Sequence, residues 1–144
     1  MSAEPTDARI TEIVRQMRTV AVVGMKGEAA RGQPAFDIPR MLQGRGIQVT
    51  PVNPTLKEAL GVPSLPSVAA LPGPVDVLNV FRRVDAIPQL ADEVLALPPG
   101  RRPAVVWLQT GIRHDESAAR LRAVGMTVIM DACLGVWATR VRPR

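Results

Sequence analysis

Gly24-Met25-Lys26, Val52-Asn53-Pro54, Phe81-Arg82-Arg83, Gln109-Thr110-Gly111 and Asp131-Ala132-Cys133 each close or follow a short apolar run. These residue types suit holding a ligand. Glycine lets a backbone approach another molecule closely, Lys and Arg pair with phosphate oxygens, and a carboxamide meets neutral amide groups. Each also has a plainer reading: a turn glycine, a solvated cation, a helix-capping Asp131, a small buried Cys133. Jointly they put one polar edge on an apolar scaffold, and such an edge is where open α/β sheets bind ligands.

Groups for turnover are scarce. His114 is the single histidine, and between Arg113 and Asp115 it reads as a surface residue at a helix start. One His and one Cys give no metal-ligand spacing. No nucleophile elbow or Walker pattern is present. The segment from Gly24 and Gly27 to Arg31-Gly32-Gln33-Pro34 is not a full G-x-G-x-x-G, because 26 is Lys and 29 is Ala. Where dinucleotide-binding domains carry an acid for the ribose, this chain has Asn53 and Pro54. Binding without intrinsic turnover is the expectation, and an NAD(P)-linked redox or nucleotide-binding module is the alternative.

The elements that must position these residues emerge from periodicity. Apolar runs at Val20–Val23, Ile47–Val52, Val75–Val80, Ala104–Leu108 and Met126–Met130 read as strands covered on both faces. Between them lie helix patterns at about Pro34–Gln43, Ser67–Leu71 (capped by Ser67), Asp85–Leu97 with Pro88 in its first turn, and Asp115–Ala123. A helix capped by Thr6 or Asp7 precedes them, with Ile10, Ile13, Val14 and Met17 on one face, and a weak helix at Cys133–Thr139 comes after them. Strand–helix alternation of this kind predicts an α/β domain with a mostly parallel sheet and helices on both faces. Pro63–Pro74 reads as a connection between strands. The chain is expected to be one domain over 1–144, with a core of about 18–139, the first helix over 1–17 and a frayed tail over 140–144.

Bulk properties bound the partners. The chain has 144 residues, 47% hydrophobic and 3% aromatic, enough for one core of Val, Leu, Ile and Ala. No run approaches a membrane span of ~18 apolar residues, and MSAEPTDARI lacks a secretory pattern. One cysteine makes the reducing cytoplasm the default. The net charge of +5 comes mainly from arginine, with lysine only at 26 and 57, and permits an anionic partner. Without tyrosine, an RNA-binding aromatic pair or a helix-turn-helix, nucleic acid is not expected. Apolar residues on the first helix leave a homodimer open.

The strings AVVGM, VTPVNP, VDVLNVFRR, WLQTGIRHDE and VIMDACL occur in an order and spacing that resembles the small single-domain coenzyme A-binding proteins. Those proteins are similar to the nucleotide-binding domain of the succinyl-CoA synthetase alpha subunit. The likeness runs from about Val20 to Leu134. It implies a Rossmann-like, doubly wound five-stranded sheet in the order 3-2-1-4-5 that holds coenzyme A, or an acyl-CoA, at its carboxyl edge. By position it places Gly24, Met25 and Lys26 near the diphosphate, with Arg31 and Pro34 at the next helix start. Val52, Asn53 and Pro54 would border the adenosine, with Phe81, Arg82 and Arg83 on the neighbouring strand end. Gln109, Gly111 and Ile112 would face the pantetheine arm, and Asp131 and Cys133 close the motif. Two features depart from the family: Lys26 stands where a small or hydroxyl residue is usual, and the loop from Gly24 to Pro34 is about two residues longer. The phosphohistidine chemistry of the synthetases needs a second domain. Cys133 raises one further possibility, a mixed disulfide with the coenzyme A thiol.

Overall fold

Each of the five apolar runs forms a strand, in a computed structural model that describes residues 4–141. The strands are β1 (Thr19–Val23), β2 (Gln48–Val52), β5 (Val77–Val80), β6 (Val105–Leu108) and β7 (Thr127–Ile129), all parallel. A hairpin of β3 (Glu58–Ala59) and β4 (Val62–Pro63) lies in the connection after β2. Among the described residues the α-helices are α1 (Asp7–Gln16), α2 (Pro34–Gly44), α3 (Ile87–Ala96), α4 (Asp115–Ala123) and α5 (Leu134–Arg140).

Alternate strand residues enter separate cores, which is why the runs are apolar throughout. Val20, Val22, Val77, Val105, Trp107 and Ile129 pack with Ile10, Ile13 and Val14 of α1, Leu42 of α2 and Leu134 and Ala138 of α5. Ala21, Val23, Leu78, Val80, Val106 and Leu108 pack with Ile87, Leu90 and Val94 of α3 and Leu121 of α4. Each such large side chain stabilises the fold by roughly 1.5–3 kcal/mol relative to an exposed one.

The sheet order is β2-β1-β5-β6-β7. Counted along the five parallel strands this is 2-1-3-4-5, in place of the expected 3-2-1-4-5. The doubly wound parallel class holds, but the third strand joins the far side of β1. The outer side of β2 is occupied by an isolated parallel bridge of Val52 with Leu65, in which Leu65 N donates to Pro51 O and Asn53 N to Leu65 O, both at 2.9 Å. Pro51, with no amide hydrogen to donate, suits so short a pairing.

Boundaries depart from expectation where side chains intervene. Asp76 Oδ2 accepts from Arg18 N (2.7 Å) and Thr19 N (3.1 Å), tying the entry of β1 to β5 and delaying the strand to Val77. Thr6 caps α1 by accepting from Arg9 N. Ser67 makes no side-chain cap, and the chain beyond it forms a single 3-10 turn, Val68–Ala70. Ile10, Ile13 and Val14 are buried inside the chain, so they do not form an exposed apolar face for a dimer. Of the tail expected over 140–144, Arg140 instead ends α5 and Val141 is buried, while 142–144 lie outside the described residues. Among the described residues no helix is long and apolar enough to cross a membrane.

Candidate functional site

The order 2-1-3-4-5 puts the switch point between β1 and β5, where the chain departs to opposite faces of the sheet. From β1 it runs to α2 on one face; from β5 it runs to α3 on the other. The strand ends there are Gly24 and Phe81. Gly24 has φ +80°, and a Cβ on it would lie 2.1 Å from the Phe81 carbonyl oxygen. The glycine is therefore required by the chain's own backbone.

Around this point lies an open cleft of about 700 Å³. Its lining includes Gly24, Lys26, Pro34, Phe81, Arg82, Arg83, Gln109, Ile112 and Cys133 among the residues expected from sequence. Gly32, Gln33, Ala35, Asp37, Ile38 and Thr110 complete the wall. The volume falls in the ~300–1,000 Å³ range of small-molecule sites. A second hollow, about 580 Å³, lies at the opposite edge of the sheet among Arg18, Arg45, Ile47 and Val141. Its Arg45 guanidinium is already bonded to the Ala138 carbonyl, and no strand end opens onto it.

One part of the cleft is cationic. Lys26 Nζ donates to Gln33 Oε1 at 2.7 Å, and its amide donates to Ala35 O, folding the glycine loop onto the start of α2. That helix has no side-chain cap at Gln33, so its positive end remains available to an anion. Asp37 Oδ1 accepts from Gly32 N at 3.0 Å. Arg82 is 3.6 Å from Glu93, half-buried, whereas Arg83 meets Asp85 at 3.3 Å with both side chains largely exposed. Exposed pairs of this kind are worth ~0–1 kcal/mol and yield easily to phosphate.

The other part is apolar and carries a buried amide. Gln109 is 5% exposed; its Oε1 accepts from Asn79 Nδ2 (3.1 Å) and from Leu134 N (2.9 Å). The backbone donor fixes which end of the carboxamide is oxygen, so the NH2 end is left toward the cleft. Asn79, fully buried in β5, holds Gln109, and its own Oδ1 has no hydrogen-bond partner. Sequence reasoning gave Asn79 no role, although one Asn among Val77, Leu78 and Val80 was the available signal.

Several expected contacts lie elsewhere. Met25 and Val52 are fully buried, so their side chains serve the core and do not line the cleft. Met25 contributes its carbonyl, which accepts from Asn53 Nδ2 at 2.9 Å. Asn53 Oδ1 in turn accepts from Thr55 N and Oγ1. Pro54 is exposed, outside the cleft wall. Arg31 borders a shallower depression that shares Gly32 and Asp37 with the cleft. Asp131 caps no helix: at φ +53° its Oδ1 accepts from Gly111 N at 2.6 Å, tying the loop after β6 to the end of β7. His114 is the cap of α4, its Nδ1 accepting from Ser117 N at 3.2 Å.

Glu28 latches the glycine loop to the β3–β4 hairpin: its Oε1 accepts from Leu60 N at 3.0 Å. The Leu60 amide, and then Glu28's own, hold its carboxyl below the ordinary value of 4.5. A lowered folded value means the latch is fully present above the ordinary value and is lost as pH falls through the lowered one. Glu28→Ala should speed hydrogen exchange of the amides in residues 27–33 several-fold at neutral pH, while shifting Tm by about 2 °C or less. Acidification below the carboxylate range should reproduce that loosening in the wild type and add nothing in the variant.

Residues 18–139 match the family described as CoA binding domain. The chain belongs to that family. This CoA-binding domain protein is 37% identical over 132 residues to YneT of Bacillus subtilis strain 168, an uncharacterized protein, covering 92% of this chain and 93% of YneT. Its fold matches the Thermus thermophilus structure of cell-free ID.343 with a TM-score of 0.84 and 38% identity, over 94% of this chain and 98% of that one. A more distant likeness, of fold alone, is to the dinucleotide forming acetyl-coenzyme A synthetase 1 of Ca. Korarchaeum cryptofilum. There the TM-score is 0.61 at 23% identity, over 82% of this chain and 27% of that one.

Proposed function

We propose that this CoA-binding domain protein holds coenzyme A or an acyl-CoA along the carboxyl edge of its sheet, as a binding protein without turnover of its own. The observation that carries the reading is the division of one cleft into a cationic part and a buried-amide part. Lys26, Arg82, Arg83 and the uncapped start of α2 suit the diphosphate and 3′-phosphate. Gln109 and Ile112 suit an arm built of amides and methylenes. Pro54, and the surface around Arg31, would border the adenosine end outside the cleft. The acetyl-coenzyme A synthetase of Ca. Korarchaeum cryptofilum shares the fold, which is compatible with the same ligand class.

The nicotinamide reading has less support. Asn53, at the position of a ribose-binding acid, has its carboxamide engaged by Met25 O and Thr55. The imidazole of His114 is engaged in capping α4, which supports binding over proton transfer. With one cysteine in the chain, the cytoplasm is the proposed compartment.

Titration calorimetry tests the proposal. Coenzyme A should bind one to one, dephospho-CoA about tenfold or more weaker for the loss of a charge-assisted phosphate contact, and NAD more weakly still. Equal affinity for NAD and coenzyme A, or no heat with coenzyme A at millimolar concentration, would overturn it.

A further inference from the structure

The cleft holds one thiol, that of Cys133, half-buried in the same wall as Gln109, Ile38 and Ile112. With no second cysteine in the chain it has no internal disulfide partner. Its place is fixed from two directions. The next residue donates its amide, Leu134 N, to Gln109 Oε1 at 2.9 Å. One residue further, a Cβ on Gly135 would come 2.8 Å from Ile38 Cγ1, so α5 rests closely on α2.

A second observation indicates what passes this thiol. Gln109 is 5% exposed, and both bonds to its carboxamide use the oxygen; its Nε2 hydrogens meet no acceptor among the described residues. That NH2 group is open to the cleft, where a ligand carbonyl can accept from it. Within coenzyme A, the amide carbonyls belong to the arm that ends in the thiol. With the phosphates held at Lys26 and the arginines, and an arm carbonyl on Gln109, the sulfur end of the arm is delivered to the wall containing Cys133.

Resting on the coenzyme A reading, we infer that Cys133 captures its ligand covalently as a mixed disulfide and releases it on reduction. The oxidant is the disulfide of coenzyme A. Cys133 gives its proton to solvent, and the thiolate attacks one sulfur of the bound disulfide. The protein–CoA S–S bond forms as the original S–S bond breaks, and the second coenzyme A leaves as a thiolate. Cys133 and the retained half share the new bond, the departing half is reduced, and no other electron acceptor is needed. An acyl-CoA, whose sulfur is a thioester, occupies the cleft without this exchange.

Intact mass measured without reductant tests the inference on the full chain. With coenzyme A disulfide, one adduct per chain should form at least ~10-fold faster than with glutathione disulfide at equal concentration, because the bound ligand raises the effective concentration at the thiol. Acetyl-CoA should slow the reaction, and dithiothreitol should reverse it. Gln109→Leu should bring the rate toward that of glutathione disulfide while the thiol remains; if that variant does not fold, protection by acetyl-CoA in the wild type carries the same information. If calorimetry detects coenzyme A but no adduct forms, or if glutathione disulfide reacts as fast, covalent capture is wrong and the binding function stands. If calorimetry detects no coenzyme A at all, both fall.

Discussion

Alanine at position 24 should abolish coenzyme A binding and lower stability by about 3 kcal/mol or more. Two costs combine. The backbone there has φ +80°, which burdens any residue with a Cβ by ~1–2 kcal/mol. The new methyl would also stand 2.1 Å from the Phe81 carbonyl oxygen, far inside contact distance. Phe81 cannot yield freely, because its amide donates to Val23 O at 2.8 Å in the pairing of β1 with β5. The strands must separate at the switch point, and the floor of the cleft opens with them. Gly32→Ala is the comparison: φ is +94° but nothing lies within 4 Å of the added Cβ, so it should cost only about 1 kcal/mol. Thermal melts should place Gly24→Ala roughly 5–10 °C below Gly32→Ala, with calorimetry reporting lost binding only for Gly24→Ala. A Gly24→Ala protein with wild-type Tm and affinity would contradict this geometry of the switch point.

Replacing Arg82 and Arg83 together by alanine should weaken coenzyme A binding by about 10- to 100-fold. A hydrogen bond to a charged group contributes ~1.5–3 kcal/mol, and each tenfold in affinity corresponds to ~1.4 kcal/mol. Part of the gain is offset by lost pairs, since Arg82 leaves Glu93 and Arg83 leaves Asp85 to meet phosphate. The Glu93 pair is the costlier to break, being 25% exposed on each side, so Arg82→Ala alone should also lower Tm slightly. Salt distinguishes phosphate contacts from packing: wild-type affinity should fall with ionic strength more steeply than that of the double variant, and the two should converge at high salt. Unchanged affinity in the double variant would remove these arginines from the site.

The strand class and the polar edge were legible because strands covered on both faces must be apolar along their whole length, and the residues after them are then the conspicuous ones. The order 3-2-1-4-5 implied by the resemblance differs from the observed 2-1-3-4-5, because β2 meets an isolated bridge at Leu65 on its outer side while the third strand pairs with β1. The β3–β4 hairpin escaped notice because two-residue strands give no periodicity to detect. Within the site, residue type revealed Gln109 and the cations but not which way Met25, Val52 and Asn53 face. Direction depends on the register of β1 with β2, where Val23 lies opposite Val52. Asp131 illustrates the same limit: an Asp before a helix pattern reads as a cap, yet its left-handed backbone turns the carboxylate to Gly111.

Crystals of the protein soaked in coenzyme A test the central claim most directly. The expected density begins beside Lys26 and the start of α2, crosses the ends of β1 and β5, and brings an amide carbonyl to Gln109 Nε2. Density at the opposite edge of the sheet, among Arg18 and Arg45, or an empty cleft at millimolar coenzyme A, would contradict it.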